Sequence, residues 1–319
     1  MSYREADLSL LRTVLRGGRR HMVDQSLLAG APGQDRSFRG FLESLPDLLA
    51  ARDLRTVIAA VVAAARNKRG VVFLLGAHVV KVGLGPLLGE LIRRGIVTHV
   101  AMNGATAIHD WELAVCGATS EDVAAGLADG TFGMVEETGT EMNAAIDAAA
   151  ARDQGLGEGL AAALSHQPEL PGRAASLLLA CEDTGVPVTV HAAIGAETIH
   201  QHPTSDGAAL GATSHRDFRR LAGSLPDLDD GGCVLNIGSA VILPEVFLKA
   251  LTVARNLEGG RPRRFLAADF DMIRHYRPRV NVVERPTAEH GIGIQVTGHH
   301  ELLIPLLVWG VLDALDGAR

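Results

Sequence analysis

Residues 71–112 read VVFLLGAHVVKVGLGPLLGELIRRGIVTHVAMNGATAIHDWE. The apolar run Val71–Leu75 stops at Gly76, and a glycine-punctuated turn follows. Pro86 stands where a helix would begin, a position it tolerates because that N–H has no partner anyway. Leu87, Leu88, Leu91 and Ile92 recur at helical spacing. Val97–Met102 reads as a second strand, stopped by Asn103–Gly104–Ala105. This strand–turn–helix–strand unit is the kind that builds parallel sheets.

Strand and helix signals alternate from here to the C-terminus. Further strands are expected at Val186–Ala192, Cys233–Ile237, Arg264–Ala268 and Gly293–Thr297, with helices between and a closing helix at Glu301–Leu315. The alternation calls for an α/β fold: a Rossmann-like parallel sheet with helices on both faces. Residues 1–69 read as a helical N-terminal extension and 70–319 as the α/β domain, together one unit. Within the extension, Leu8, Leu11 and Leu15 predict a short amphipathic helix, and Phe38–Leu49 and Leu54–Ala65 two more. PELPGR (168–173) marks a break, and the charged stretch 274–285 reads as a solvated or subunit-contact face.

Hydrophobic residues make up 47% and aromatics 4%, so the core must be aliphatic. Net charge is −7 with no long basic block, which argues against a nucleic-acid partner. No run of about 18 apolar residues occurs, so no membrane span is expected. The first residues lack the apolar segment of a signal peptide. Three scattered cysteines fit reduced, buried thiols in a cytoplasmic protein. Richness in Ala and Arg, with only three Lys, points to a high-GC bacterial genome.

Ligands of open parallel sheets bind beyond the carboxyl ends of the strands. Those ends carry Gly76–His78, Asn103–Asp110, His191–His202, Gly238–Ser239, Asp269–Asp271 and Gly298–Glu301. His109 beside Asp110 suggests a general base oriented by a carboxylate. The competing reading is a helix-surface pair, because neighbouring helical residues point about 100° apart. His191, Glu197, His200, His202 and His215 crowd one loop-rich stretch, and His299–His300–Glu301 lies at another strand end. Such sets carry protons, bind substrate or hold a metal ion; without an HExxH pattern, no metal site is assigned. Gly83-x-Gly85-x-x-x-Gly89 is one residue off the dinucleotide fingerprint, and Asn103 stands where an acidic ribose ligand belongs. The alternative is that these glycines only allow close packing.

The stretch LGAHVVKVGLGPLLGELIRRGIVTHVAMNGATAIHD resembles the NAD-binding region of the deoxyhypusine synthase family, whose T-G-A-N-x-x-H-D run is similar to NGATAIHD (103–110). VPVTVHAAIGAETIH, CVLNIGSAVILPEVFLKAL and VTGHHELLIPLLVWG resemble later family segments in order. The resemblance implies a Rossmann-like fold, a homotetramer or homodimer with sites between subunits, and NAD as cofactor. It implies that Ala77, His78, Val79, Val80, Lys81, Asn103, Gly104 and Ala105 line NAD, with further cofactor contacts at Gly238, Ser239, Asp269 and His300. His109 and Asp110 would face the substrate, Glu197 and His191 would bind it, and His200 and His299 rank next as proton carriers.

The departures bear on the reaction. The family's imine-forming lysine belongs in a region that here reads ERPTAEHGIGIQ, and no Lys follows Lys249. A Schiff base needs an amine, and Arg285 stays protonated. Gly195, His200 and His299 stand where the family has aspartates. The expectation is therefore an NAD-dependent enzyme that transiently dehydrogenates a small amine or hydroxy metabolite without a lysine imine. Its rivals are homospermidine-type aminobutyl transfer, a metal-dependent hydrolase or lyase built on the histidines, and a non-catalytic assembly protein.

Overall fold

Every residue of Val71–Leu75 is buried, because this strand sits mid-sheet with helices on both faces. Val71, Phe73 and Leu75 enter one apolar core and Val72 and Leu74 the other, as the two-residue strand period requires. The computed structural model describes residues 3–167 and 169–317. Pro168, at the head of the expected break, lies outside them.

Helices α1 (Phe38–Ser44) and α2 (Leu49–Arg66) lead into β1 (Val71–Leu75). Short α3 (Ala77–Lys81) and α4 (Gly85–Arg93) cross to β2 (His99–Asn103). Five helices follow: α5 (Gly104–Cys116), α6 (Val123–Asp129), α7 (Glu136–Ala151), α8 (Leu156–Ser165) and α9 (Leu177–Thr184). Then come β3 (Val188–His191), α10 (Gly207–Ser224), β4 (Cys233–Ile237), α11 (Ile242–Leu257) and β5 (Leu266–Asp271). The chain closes with α12 (Arg285–Thr287), β6 (Ile292–Thr297) and α13 (His300–Asp316).

All six strands pair in parallel, in the order β3-β2-β1-β4-β5-β6. The chain runs outward from β1 to β3, returns to the middle at β4 and runs outward again. The order therefore reverses between β1 and β4, the place where open α/β sheets form a crevice. Helices α10 and α11 cover one face through Leu221, Phe247 and Leu251. Helices α2, α4, α5, α8, α9 and α13 cover the other. α2 contributes Leu54, Val57, Ile58 and Val61 to that same core, so this part of the extension is built into the domain. Among the described residues no helix is long and apolar enough to cross a membrane.

Three expectations are corrected. The Leu8/Leu11/Leu15 stripe forms no α-helix; single 3-10 turns stand at Leu8–Leu10 and Arg16–Gly18. The three leucines are 71%, 67% and 85% exposed, and a short helix without a packed face does not sustain itself. α1 stops at Ser44 rather than 49, because Leu45 precedes Pro46 and is held extended at ψ 147°. The charged stretch is not simply solvated: Pro278–Glu284 winds as a π-helix that buries Val280, Val282 and Val283. Cys181 and Cys233 are buried free thiols as expected, while Cys116 is exposed.

Candidate functional site

At the carboxyl end of β2, Asn103 caps α5 by accepting the Thr106 N–H at 2.9 Å. The helix then carries His109 and Glu112 into a cavity of about 210 Å³ shared with Lys81 of α3 and Glu197 of the loop after β3. Ala105 also lines this cavity.

His109 is held by a relay. Its Nδ1 lies 2.6 Å from Thr119 Oγ1. The Thr119 hydroxyl donates to Glu112 Oε2 at 2.5 Å. A hydroxyl has one proton to give, so Thr119 must accept from His109 Nδ1–H. Nε2 is then the bare acceptor. Burial, and next to it the charge of Lys81, lower the His109 pKa to about 4. At neutral pH His109 is uncharged, so its 3.9 Å approach to Glu112 is not an ion pair.

Glu197 is 6% exposed. It accepts the Ala193 N–H at 3.1 Å and the Gly104 N–H at the start of α5. Its carboxyl therefore occupies the helix N-terminus where a ligand phosphate would otherwise sit. A Cβ on Gly104 would stand 2.6 Å from Glu197 Cδ, so only glycine allows this approach. Burial raises the Glu197 pKa to about 7 against the pull of its backbone donors. His200 Nδ1 accepts the Gly195 N–H at 3.1 Å and lies 3.2 Å from Glu197 Oε2. Burial lowers the His200 pKa. Both shifts favour an uncharged pair.

Asp110 does not orient His109. It is fully buried and accepts Ser176 Oγ at 2.7 Å, Leu177 N–H at 2.8 Å and Leu178 N–H at 3.0 Å. It binds the N-terminus of α9. Burial outweighs these bonds and raises its pKa to about 6. Sequence reasoning missed the true partners of His109. Glu112 was detectable, since residues three apart share a helix face. Thr119 was not, because it returns to the helix only after the left-handed turn at Gly117, φ 70°.

The histidine cluster is likewise dispersed. His191 is buried at the end of β3, its Nε2 3.1 Å from Thr189 Oγ1. The same hydroxyl lies 3.0 Å from His99 Nε2, and His99 Nδ1 lies 2.8 Å from Ser224 Oγ. Ser224 donates its proton to the Arg220 carbonyl at 3.2 Å. That fixes the row: His99 donates from Nδ1, Thr189 donates to His99 Nε2, and His191 donates from Nε2, leaving its Nδ1 bare. Burial lowers these pKa values to about 4 for His99 and about 3 for His191. His202 Nε2 bonds the Gly133 carbonyl, and His215 stacks on Phe218. No three His, Cys, Asp or Glu among the described residues are placed to hold a metal. This is at odds with the hydrolase built on these histidines.

The remaining candidates gather at the other half of the sheet. Four strand spacings separate β2 from β6, about 19 Å, so His299 does not share the His109 cavity. Its side chain is 64% exposed, 3.6 Å from Glu301. His300 is 1% exposed; its Nε2 lies 3.0 Å from the Phe270 carbonyl and donates there, leaving Nδ1 buried without a partner. Asn236 donates to Ser239 O and to Asp269 Oδ1, and its own Oδ1 also lacks a partner. Burial raises the Asp269 pKa to about 6. Ser239 Oγ accepts the Leu243 N–H of α11. Gly76 packs against Gly238, whose carbonyl would lie 2.0 Å from an added Cβ. His78 of α3 meets the His300 ring at 5.6 Å. Val79 and Val80 are core residues, not surface that could line a cofactor. Of the near-fingerprint glycines, Gly85 serves packing, with the Ala175 carbonyl 2.1 Å from an added Cβ, while Gly83 has open space around it and turns the chain at φ 80°.

No family profile and no curated protein matches the chain. Solved structures with a similar course include a protein of Methanococcus maripaludis S2 assigned as LOR/SDH, at 14% identity and TM-score 0.48 over 92% of this chain and 74% of that one. AgrE in a ternary complex with ornithine and NAD+ gives 16% and 0.49 over 84% of this chain and 34% of its own. A protein of Entamoeba histolytica assigned as a deoxyhypusine synthase gives 10% and 0.49 over 89% and 98%. This chain thus spans about a third of AgrE. Similarity this shallow carries no site residue from one protein to another.

Proposed function

We propose that the chain is an NAD-dependent enzyme that dehydrogenates a small amine or hydroxy metabolite, with His109 as the proton acceptor. The observation that carries this reading is the Glu112–Thr119–His109 relay, which leaves a bare imidazole nitrogen on a cavity wall. A base needs a free lone pair and a pKa below the working pH, and His109 has both.

NAD, when bound, supplies the hydride acceptor. The two orphaned acceptors, His300 Nδ1 and Asn236 Oδ1, fit a ligand rich in N–H and O–H donors; the carboxamide and ribose hydroxyls of NAD are such groups. His78 and Gly238, both half-buried, would lie beside it on the β4–β6 side, with Ser239 and Asp269 behind them. The sequence resemblance to the deoxyhypusine synthases supports the same cofactor. The phosphate contacts must differ from the usual pattern, since Glu197 takes the N-terminus of α5. Burial, with the positive charge of Lys81 added to it, keeps His109 unprotonated. Glu197, as a neutral acid, is a hydrogen-bond donor toward the same cavity. Without an amine in the family's lysine position, no covalent imine with the chain is part of this reading.

The test is calorimetric titration of the purified chain with NAD+, followed by NADH formation over a panel of small amines and alcohols. NAD+ binding with turnover of one panel member supports the proposal. His109→Gln should leave NAD+ affinity unchanged and lower turnover by about 10²–10⁴-fold. No NAD+ binding at millimolar concentration overturns it.

A further inference from the structure

The end of the sheet away from His109 holds a second concentration of charge. The loop from α11 to β5 and the segment from α12 to β6 meet there, at the amino ends of their strands, around a cavity of about 270 Å³. Arg255, Arg263, Arg285, Glu289 and His290 are its ionisable wall residues. Gly260, Pro286 and Ala288 complete the wall. Three guanidiniums against one carboxylate leave two positive charges before His290 is counted.

Neighbouring arginines have carboxylate partners: Arg261 pairs with Asp229, Arg264 with Asp230, Arg277 with Glu245 and Arg279 with Glu284. Arg255, Arg263 and Arg285 form no ion pair among the described residues; Glu289 lies instead 3.9 Å from His290. Burial lowers the Arg255 pKa, the charge of Glu289 opposes that shift, and the charge of Arg263 adds to it. Arg255 and Arg263 are therefore close enough to repel.

Nor are the three loose on the surface. Arg255 is half-buried and donates from Nε to the Pro262 carbonyl at 3.0 Å and from Nη2 to the Pro286 carbonyl at 2.7 Å. Arg263 donates from Nε to the Gly260 carbonyl at 2.8 Å, and Arg285 from Nη1 to Asn281 Oδ1 at 2.9 Å. A guanidinium carries five N–H donors, so each keeps unused ones after its anchor is made. Anchored forks lose little further freedom on binding. Arg285 also follows directly on the π-helix Pro278–Glu284, a winding that is rare and recurs at functional sites. Like charges held together with spare donors favour an oxyanion between them. A phosphate monoester, with a charge of about −1.5 to −2 at neutral pH and three acceptor oxygens, matches both the charge and the donors.

We propose that this cavity binds a dianionic phosphate group, carried by a small metabolite or free in solution, with Arg255, Arg263 and Arg285 as its donors. The site lies at the opposite end of the sheet from His109 and does not depend on the dehydrogenase reading.

The test is calorimetric titration of the full chain in chloride buffer at fixed ionic strength, with inorganic phosphate, glycerol 3-phosphate and dimethyl phosphate as probes. Saturable binding of the first two is expected, and the tighter of them identifies the source of the phosphate. Dimethyl phosphate bears a single charge and should bind at least about tenfold more weakly than the tighter dianion. Arg263→Gln and Arg285→Gln should each weaken that dianion about tenfold. Arg274→Gln, which removes a charge outside the cavity, should leave it within about twofold. Glu289→Gln takes away the opposing carboxylate and should tighten binding about two- to fivefold, a gain that misfolding cannot produce. No saturable heat from either dianion at millimolar concentration, dimethyl phosphate bound as tightly, an equal loss in Arg274→Gln, or undiminished affinity in both cavity arginine variants overturns the proposal. So does a Glu289→Gln protein that binds no tighter.

Discussion

His109 owes its character to burial, to Thr119 and to Lys81 rather than to the aspartate beside it. Its pKa of about 4 means that it accepts a proton at any pH above that value and is blocked below it. Glu197 runs the other way: with a pKa of about 7 it is an acid below neutrality and a carboxylate above. The expected dependence of kcat/KM on pH is therefore a plateau between about 4 and about 7, falling on the acid side as His109 charges and on the alkaline side as Glu197 ionises. Glu197→Gln holds the neutral form at every pH. It should keep the acid limb and lose the alkaline one. An alkaline limb that survives in the variant belongs to some other group.

At the scale of elements, Asp110 ties α5 to α9. It satisfies a hydroxyl and two backbone N–H groups that would otherwise be buried unpaired. Asp110→Ala should destabilise the fold by about 3 kcal/mol, read by urea unfolding, while NAD+ affinity in the folded protein is unchanged. A loss of affinity at full stability would return Asp110 to the site. Elements of this kind mark the limit of what the sequence discloses. The strand Val71–Leu75 announces itself, because a five-residue apolar run between breakers has few other uses. The role of Asp110 does not, because its partners Ser176, Leu177 and Leu178 lie 66 to 68 residues away and arrive only when α9 docks. The histidines of the β3 loop fail to converge because spacing along an irregular loop says nothing of where rings point: His191 meets the Thr189 hydroxyl, His200 the Gly195 N–H, His202 the Gly133 carbonyl, and His215 stacks on Phe218. His299 misled in a different way, since closeness to a strand end is not closeness to every strand end in a six-stranded sheet.

For the molecule as a whole, the β3-β2-β1-β4-β5-β6 order divides the polar strand ends into a His109 half and a His300 half, with α3 touching both through Lys81 and His78. The N-terminal arm stands apart from this division: its 3-10 turns bury no residue. Deleting residues 1–24 should shift the melting temperature by less than about 2 °C, since unburied backbone contributes little to the global free energy; a larger drop would mean that the arm is covered in solution. The row Ser224–His99–Thr189–His191 crosses between strands from the amino end of the sheet toward its carboxyl end, and each member can hold its proton on only one side. Ser224→Ala removes the carbonyl-anchored hydroxyl that sets the direction. His99 is then free to turn its proton toward Thr189, Thr189 toward His191, and His191 must move its own from Nε2 to Nδ1. Imidazole nitrogen NMR shifts of His191 should register that exchange, and unchanged shifts would show that the Arg220 carbonyl does not govern it. The strand pair stores one bit of polarity, written at one end of the sheet and legible at the other.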